Sequence, residues 1–391
     1  MTFEQIIYVC MCLENSFDGC FKYNDIFLNI FGINIFDDKY YSRYYAHNLR
    51  FFLFALSLVI STFSAFWCAF EKFKDSLEDQ LSALVAGFFA LMIDLKLIGL
   101  LYKYEGCRKI KHHILQKTKH NYDPAYQPIM LKYQRFARTT VKVLTVVYFL
   151  APINMNLYPF MSSKSRLYPL NFAIPGVPDE TLYGYIINFV YIGCCCFIAS
   201  TFFLTFDSFF MPLSFYLASR FELCAHYFNQ IGENEKADSN SVKSFINIGI
   251  ALHAETLEIF KMCQDFMEPI ILVEAGGIGF LISVQMFLLL VNPLNPAILS
   301  FFGSVTQVFL YCVVGELIAY KAFDVSMQLY CSKWYNLKDN RLKKMLIVVL
   351  NRTQEPCYYC LGNLLPFGMI TFGNIVGISY KAFNLLTSTM K

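Results

Sequence analysis

Residues 331–386 decide the architecture of this chain. They read CSKWYNLKDNRLKKMLIVVLNRTQEPCYYC from Cys331 to Cys360 and then LGNLLPFGMITFGNIVGISYKAFNLL. A Trp-Tyr pair leads into a basic amphipathic stretch, Pro356 interrupts it, and a long apolar run follows. This order predicts a helix that lies along the membrane face, a break at the proline, and a last membrane-crossing helix.

The composition of the whole chain is that of a membrane protein. Its 391 residues are 56% hydrophobic and only 16% charged, with a mean hydropathy of +0.44. Charged residues make up roughly a quarter of a soluble domain. No basic segment precedes an apolar core at the N-terminus, so we expect no cleaved signal peptide and a first span that acts as the internal signal.

Seven apolar stretches are long enough to cross a bilayer, which takes about 20 helical residues. The sequence therefore predicts an all-α membrane protein with seven transmembrane helices. The fourth and sixth spans are expected to continue past the membrane as helices. We place the spans at 49–70, 81–102, 139–161, 184–210, 268–291, 297–320 and 362–386.

The positions of Lys and Arg predict the orientation in the membrane. Nine basic residues lie between positions 103 and 138, against two acidic ones, and seven more follow the sixth span at 321–352. Short loops rich in Lys and Arg stay in the cytoplasm. With seven spans, the N-terminus is therefore expected to be cytoplasmic and the C-terminus extracellular, which is the reverse of a G-protein-coupled receptor.

The spans and charges divide the chain into six segments. Val242 to Phe266 carries apolar residues at helical spacing in a region too polar to cross, so we expect a cytosolic helical layer there, joined by 335–356. The segments are a cytoplasmic N-terminal segment at 1–48, transmembrane helices 1–4 at 49–210, a cytosolic helical segment at 211–267, transmembrane helices 5 and 6 at 268–320, a cytosolic anchor helix region at 321–361, and helix 7 with an extracellular C-terminus at 362–391.

The sequence carries no motif typical of an enzyme. It has no phosphate-binding loop, no nucleophile elbow and no pair of catalytic carboxylates in a plausible cleft. Cys357 and Cys360 have the spacing of metal ligands, but no second Cys or His pair stands nearby, so we interpret them as reduced cysteines beside the membrane. We therefore expect no catalysis, no cofactor, no metal and no nucleic-acid partner, with membrane lipid around the spans.

Six ionisable residues fall inside the predicted spans, where charge is costly and each one is a functional hypothesis. Five of them map to the cytoplasmic third of their helices, where they can pair with one another or reach water. An ion-coupled transporter would place such charges near the middle of the membrane. We therefore favour structural pairing for these five. They are Asp94, Lys96, Asp207, Glu274 and Glu316, and the sixth residue is Lys381.

Several stretches of the chain carry a family likeness. The C-terminal ones are TQVFLYCVVGELI (306–318), SMQLYCSKWY (326–335), RLKKMLIVVLNRTQEP (341–356) and TFGNIVGISYKAFNLL (371–386). Upstream, residues 202–224 and 245–260 join them, and these include Asp207 and His253. Together they resemble the insect odorant receptors, with the greatest specificity in the last hundred residues.

The resemblance implies an activity and an assembly. Members of that family are odorant-gated, non-selective cation channels, heterotetramers with a shared co-receptor subunit in the plasma membrane of sensory dendrites. Their seventh helix lines a central pore, the cytosolic ends of helices four to seven form an anchor domain, and a small volatile apolar ligand binds in the outer membrane half. The 211–267 segment lacks a long insertion, which implies a tuning subunit rather than the co-receptor.

The resemblance places the ligand pocket only by helix and depth. The outer halves of spans two, three, four and six are rich in rings and thioethers, which supply rigid apolar area, and a few polar groups can hold one polar atom of a volatile. For each residue taken singly, an ordinary lipid-facing or interface position is the favoured interpretation, whereas for the group a pocket is favoured. The candidates are Phe88, Phe89, Met92, Tyr148, Met155, Tyr158, Tyr185, Asn188, Tyr191, Phe301, Phe302, Val305 and Thr306.

The resemblance also places a gate near the end of the last span. Leu385 stands where the family carries an aliphatic gate residue, and a ring of such side chains closes a pore by dewetting. The alternative is that Leu385 only packs between helices. Thr387 and Ser388 would form a polar mouth. Lys381 departs from the family, which has a small polar residue there, so we expect Lys381 to face a neighbouring subunit or to snorkel outward.

Two other functions stay open. A gustatory-type ligand-gated channel ends in a Thr-Tyr and Gln-Phe pattern that is absent here, and its pocket would need more hydrogen-bonding groups. A G-protein-coupled chemoreceptor would need the N-terminus outside the cell, against the distribution of basic residues.

Overall fold

The computed structural model describes residues 17–33, 49–118, 126–161, 167–231, 239–292, 297–361 and 365–388. A π-helical turn, Cys68–Lys72, continues the second helix, and two short strands, β1 (Cys360–Leu361) and β2 (Leu365–Pro366), pair antiparallel. The predicted all-α class is confirmed. The helices of this part are α1 (Phe17–Ile30), α2 (Leu49–Trp67), α3 (Leu77–Tyr102), α4 (Tyr104–Thr118), α5 (Tyr126–Met161), α6 (Leu182–Asn229), α7 (Ser239–Val291), α8 (Ala297–Cys331), α9 (Asn340–Thr353) and α10 (Met369–Ser388).

The helices match the predicted spans in order. Within the described ranges, six helices are long and apolar enough to cross a membrane, namely α2, α3, α5, α6, α7 and α8. They correspond to the first six predicted spans. The seventh corresponds to α10, whose 20 residues are the length that one crossing needs.

Several helices continue far beyond their spans. α6 has 48 residues and α8 has 35, as expected for the fourth and sixth spans. α7 has 53 residues, so the fifth span at 268–291 and the helix expected from Val242 to Phe266 form one continuous element. At 1.5 Å per residue α7 is about 80 Å long, more than twice the roughly 30 Å hydrocarbon layer, so it must project from the bilayer.

The last helix begins later than the sequence predicts. The span was expected from position 362, but α10 starts at Met369. Pro366 ends the β1–β2 ladder, and the amide of Phe367 donates to the carbonyl of Tyr359 at 2.7 Å, so the chain is extended just before the helix. The Glu316 carboxylate then accepts from the amide of Met369 at 3.2 Å and caps the first turn.

α6 forms the centre of the bundle. From Phe202 to Phe228 most of its residues are buried on every side, which fits a helix that is apolar all round. It packs against α5 on one side and α8 on another. The N-terminal part also contributes, because α1 docks on α6 with the ring of Phe17 5.5 Å from that of Tyr216. The sequence placed no packed helix in the 1–48 segment.

Candidate functional site

A small cavity lies at the predicted outer ends of α3, α5, α7 and α8, beneath the segment 167–171. Its volume is about 90 Å³. Typical ligand pockets measure roughly 300–1,000 Å³, so this cavity is smaller than most of them. The wall is mixed in character and is formed by Glu78, Asp79, Ser82, Val85, Met155, Tyr158, Leu167, Tyr168, Pro169, Leu170, Asn171, Leu288, Asn292 and Ser300.

The segment 167–181, whose first five residues line the cavity, packs onto the neighbouring helices and is called the cover below. Phe172 and Ala173 are only 3% and 2% exposed and pack among small residues of α2 and α3. The Cys68 sulfur accepts from the amide of Ala173 at 3.2 Å, and the Asn171 amide donates to Asp79 at 3.0 Å. The cover is therefore tied to the outer ends of α2 and α3, and it cannot lift without breaking these contacts.

A polar cluster ties the cover to α6 as well. Asn188 is fully buried, accepts from the amide of Ile174 at 2.9 Å and donates to Asp179 at 2.9 Å. Tyr185 donates to the carbonyl of Leu167 at 3.0 Å. Lys72 forms an ion pair with Asp179. Asn188 and Tyr185, both predicted to bind ligand, therefore hold the cover in this structure.

Two of the thirteen predicted pocket residues, Met155 and Tyr158, line the cavity. The remaining aromatic and thioether candidates contact other parts of the bundle. Phe88 lies 4.4 Å from the ring of Phe280, and Met92 packs over Gly277.

The other candidates, on α3, α6 and α8, lie in different surroundings. Tyr191 donates to the carbonyl of Ser57 at 3.0 Å and Phe89 meets the edge of Phe203. On α8, Phe301 and Val305 are half-buried against the core, whereas Phe302 is 58% exposed and Thr306 also points outward. The structure thus spreads the predicted set over several surfaces, and its role in binding stays a prediction.

The sequence analysis did not predict the cavity residues that lie at the first turn of a helix or just after its last residue. Glu78 and Asp79 stand in the first turn of α3, and Ser76 caps that helix by accepting from the amide of Asp79. Asn292 follows the last residue of α7. Their signal was position alone, since polar residues at the outer end of a span are ordinary at a membrane surface.

A buried ionic cluster lies below the cavity in the middle of the bundle. Lys96 of α3 and Glu274 of α7 form an ion pair in which both side chains are fully buried. The ammonium of Lys96 also lies 4.2 Å above the ring of Phe203. The pairing that we expected for these two spans is therefore present.

The same cluster joins three more helices through Asp207 of α6. Its carboxylate accepts from Tyr148 of α5 at 2.6 Å and from Tyr311 of α8 at 2.5 Å, with Gln307 at 3.4 Å. Tyr148, a predicted pocket residue, is thus engaged with Asp207. Because buried charge is costly unless satisfied, this cluster fixes how α3, α5, α6, α7 and α8 pack.

Among the described residues, α10 packs against the bundle along one side. It packs against α7 and α8, where Ser379 donates to the carbonyl of Gly279 at 2.8 Å and Phe372 meets the ring of Phe309. The opposite side is uncovered, with Leu385 67% and Ile378 66% exposed. Thr387 is half-buried, and Ser388 and Lys381 are exposed. One side of the terminal helix is thus free to meet neighbours in an assembly.

Comparison with known proteins identifies the family to which the chain belongs. A model of the 7tm Odorant receptor family matches residues 76–380. Odorant receptor 10 of Aedes albopictus is 25% identical over 242 residues, which are 59% of this chain and 62% of that protein. Odorant receptor 85b of Drosophila melanogaster is 32% identical over 105 residues, 27% of this chain and 24% of its own. The matched region thus spans about three fifths of the Aedes albopictus receptor and about a quarter of the Drosophila melanogaster receptor.

The fold is similar to that of a solved receptor. The insect olfactory receptor OR5 from Machilis hrabei, in complex with eugenol, superposes with a TM-score of 0.80 and 12% identity, covering 94% of this chain and 97% of that one. A second structure of the same receptor superposes with a TM-score of 0.77 at 11% identity, covering 93% of this chain and 96% of that one. The seven-helix fold is therefore confirmed, and with the family match over 76–380 the chain belongs to the insect odorant receptor family, whose members are multi-pass plasma-membrane proteins.

Proposed function

We propose that this chain is the odorant-binding tuning subunit of a ligand-gated, non-selective cation channel, assembled as a heterotetramer with the odorant receptor co-receptor. The observation that carries the proposal is the one-sided packing of α10. Its uncovered side presents Leu385, Ile378 and Ser388, whereas its other side packs against α7 and α8. An exposed polar group on such a side, as at Ser388, needs water or a polar partner, and a central pore supplies both.

The cavity supports the binding of a small, mainly apolar molecule. Val85, Met155 and Leu288 offer apolar area, and Ser82 and Asn171 offer hydrogen-bonding groups at its edge. The structurally similar Machilis hrabei receptor was solved in complex with eugenol, and we carry over to this chain only the binding of a small organic ligand.

The arrangement of helices supports coupling between the cavity and the pore. Leu288 and Asn292 of α7 and Ser300 of α8 border the cavity, and these same two helices hold α10. A ligand that binds one arrangement of α7 and α8 more tightly shifts the population toward it. In the proposed mechanism that shift rotates α10 and moves the Leu385 side chains apart, which lets water enter the pore.

Recording from cells that express the chain with and without an insect co-receptor tests this proposal. During a panel of volatile esters, alcohols and terpenoids, we expect a cation current only when both subunits are present. Surface-expressed protein that stays silent with the co-receptor but drives a G-protein reporter would contradict the channel and favour a coupled receptor. A current evoked by sugars rather than volatiles would favour the gustatory alternative.

Filling the cavity is expected to weaken the odorant response. In Met155→Trp the indole occupies the space between α5 and the cover, so the odorant concentration for half-maximal current should rise at least about tenfold, equivalent to a loss of about 1.4 kcal/mol. The matched control is Met161→Trp, six residues along the same helix, where the side chain is 82% exposed. An unchanged response curve for Met155→Trp would place the ligand elsewhere.

A further inference from the structure

Three polar residues form a line along the uncovered side of α10. Asn374, Lys381 and Ser388 are spaced seven residues apart, which is close to two turns of an α-helix, so their side chains project from nearly the same side. All three are exposed. Leu385 stands one turn from Lys381 and one turn from Ser388, so the proposed gate residue lies beside this line.

Lys381 is the single charged residue of α10. The remaining nineteen residues between Met369 and Ser388 are uncharged. Lys381 makes no ion pair or hydrogen bond with any residue that the structure describes. Within the described ranges, no acidic side chain neutralises its charge.

The depth of the line argues against a lipid environment. A lysine about 10 Å from the end of a span can extend its ammonium toward the membrane surface. Asn374 lies about 20 Å from that end and about 8 Å from the other end of α10 at Met369, and its short side chain extends less far toward a membrane surface than a lysine does. An exposed amide at that depth requires water or a polar partner. The line as a whole therefore fits a wall that faces water.

In place of the neighbour-facing or outward position expected from the sequence for Lys381, we propose that Asn374, Lys381 and Ser388 face the water-filled pathway, and that Lys381 lowers the permeability of Ca²⁺ relative to Na⁺. The inference rests on the proposed channel function. A fixed positive charge beside the pathway opposes Ca²⁺ twice as strongly as Na⁺, because the Coulomb energy scales with the charge of the ion. The channel formed with this subunit should therefore admit Ca²⁺ less readily, relative to Na⁺, than the same channel with a neutral residue at position 381.

Reversal potentials of the odorant-evoked current test the proposal. For the chain co-expressed with an insect co-receptor, with Na⁺ inside and Ca²⁺ outside, Lys381→Gln should raise the Ca²⁺ to Na⁺ permeability ratio about two- to fourfold. Lys381→Glu should raise it further, and Lys381→Arg should keep the wild-type ratio. Lys338→Gln removes one positive charge from an exposed position between α8 and α9 and should change nothing. A Lys381→Gln channel with a normal odorant response and an unchanged ratio would overturn the assignment.

Chemical accessibility gives an independent readout. A water-soluble, positively charged thiol reagent applied from outside should alter the odorant-evoked current of Lys381→Cys and leave the wild type unaffected. A variant that reaches the surface, conducts and ignores the reagent would place the side chain in lipid or in a subunit contact. If the wild type gives no odorant-evoked current with the co-receptor, the proposed channel fails by itself, and this inference fails with it.

Discussion

Replacing Leu385 by serine is expected to open the proposed channel without odorant. In the closed channel, Leu385 side chains from several subunits would meet at the pore axis and exclude water. Burying one leucine contributes about 1.5–3 kcal/mol, so losing it should shift the closed-to-open equilibrium by about ten- to a hundredfold for each substituted subunit. The measurement is the holding current of co-expressing cells in the absence of ligand, compared with the maximal odorant-evoked current.

The matched control for this substitution is Val376→Ser. Val376 lies nine residues before Leu385, half a turn around the helix, and is 37% exposed. It loses an aliphatic side chain of similar kind on another side of α10, so its resting current should equal that of the wild type. If Leu385→Ser reaches the surface and shows no resting current, while its odorant response is normal, Leu385 packs between helices and the gate lies elsewhere.

The sequence predicted the fold well because its signals were local. Long apolar runs identify the spans, and clusters of basic residues indicate their orientation. Neither signal needs reference to other parts of the chain. The first residue of α10 could not be predicted from such local signals. It depends on Glu316, which caps Met369 from α8, and on a β ladder of two residues in each strand. The docking of Phe17 against Tyr216 is likewise a tertiary contact between distant segments.

The site was harder to predict because the helices that form it lack a polar side. When a helix is apolar all round, periodicity does not say which residues point inward. Phe302 and Val305 are three residues apart on α8, yet one is 58% exposed and the other packs against the core. The sequence predicted that charged residues of the spans pair with one another, but not that Lys96 pairs with Glu274. No sequence signal links two residues on separate helices.

Replacing Lys96 by methionine is expected to be among the most damaging single changes in the bundle. Lys96 and Glu274 are both fully buried, and the substitution leaves the Glu274 carboxylate without its counter-ion. Removing one partner of a buried pair typically costs about 3–5 kcal/mol. We expect little protein at the cell surface and a lower melting temperature in detergent. Lys132→Met is the control, because Lys132 is 49% exposed and Glu222 keeps Lys321 and Tyr133, so the cost should stay below about 1 kcal/mol.

The double variant Lys96→Met with Glu274→Met separates a structural role from a functional one. Replacing both partners of a buried pair by apolar residues of similar volume is often neutral, so stability and surface expression should return toward the wild type. A Lys96→Met variant with the stability and surface expression of the wild type would contradict the predicted cost of breaking the pair. A double variant that is stable and still responds to odorant assigns the pair to packing. One that is stable but silent assigns it to the movement of α7, which borders the cavity and holds α10.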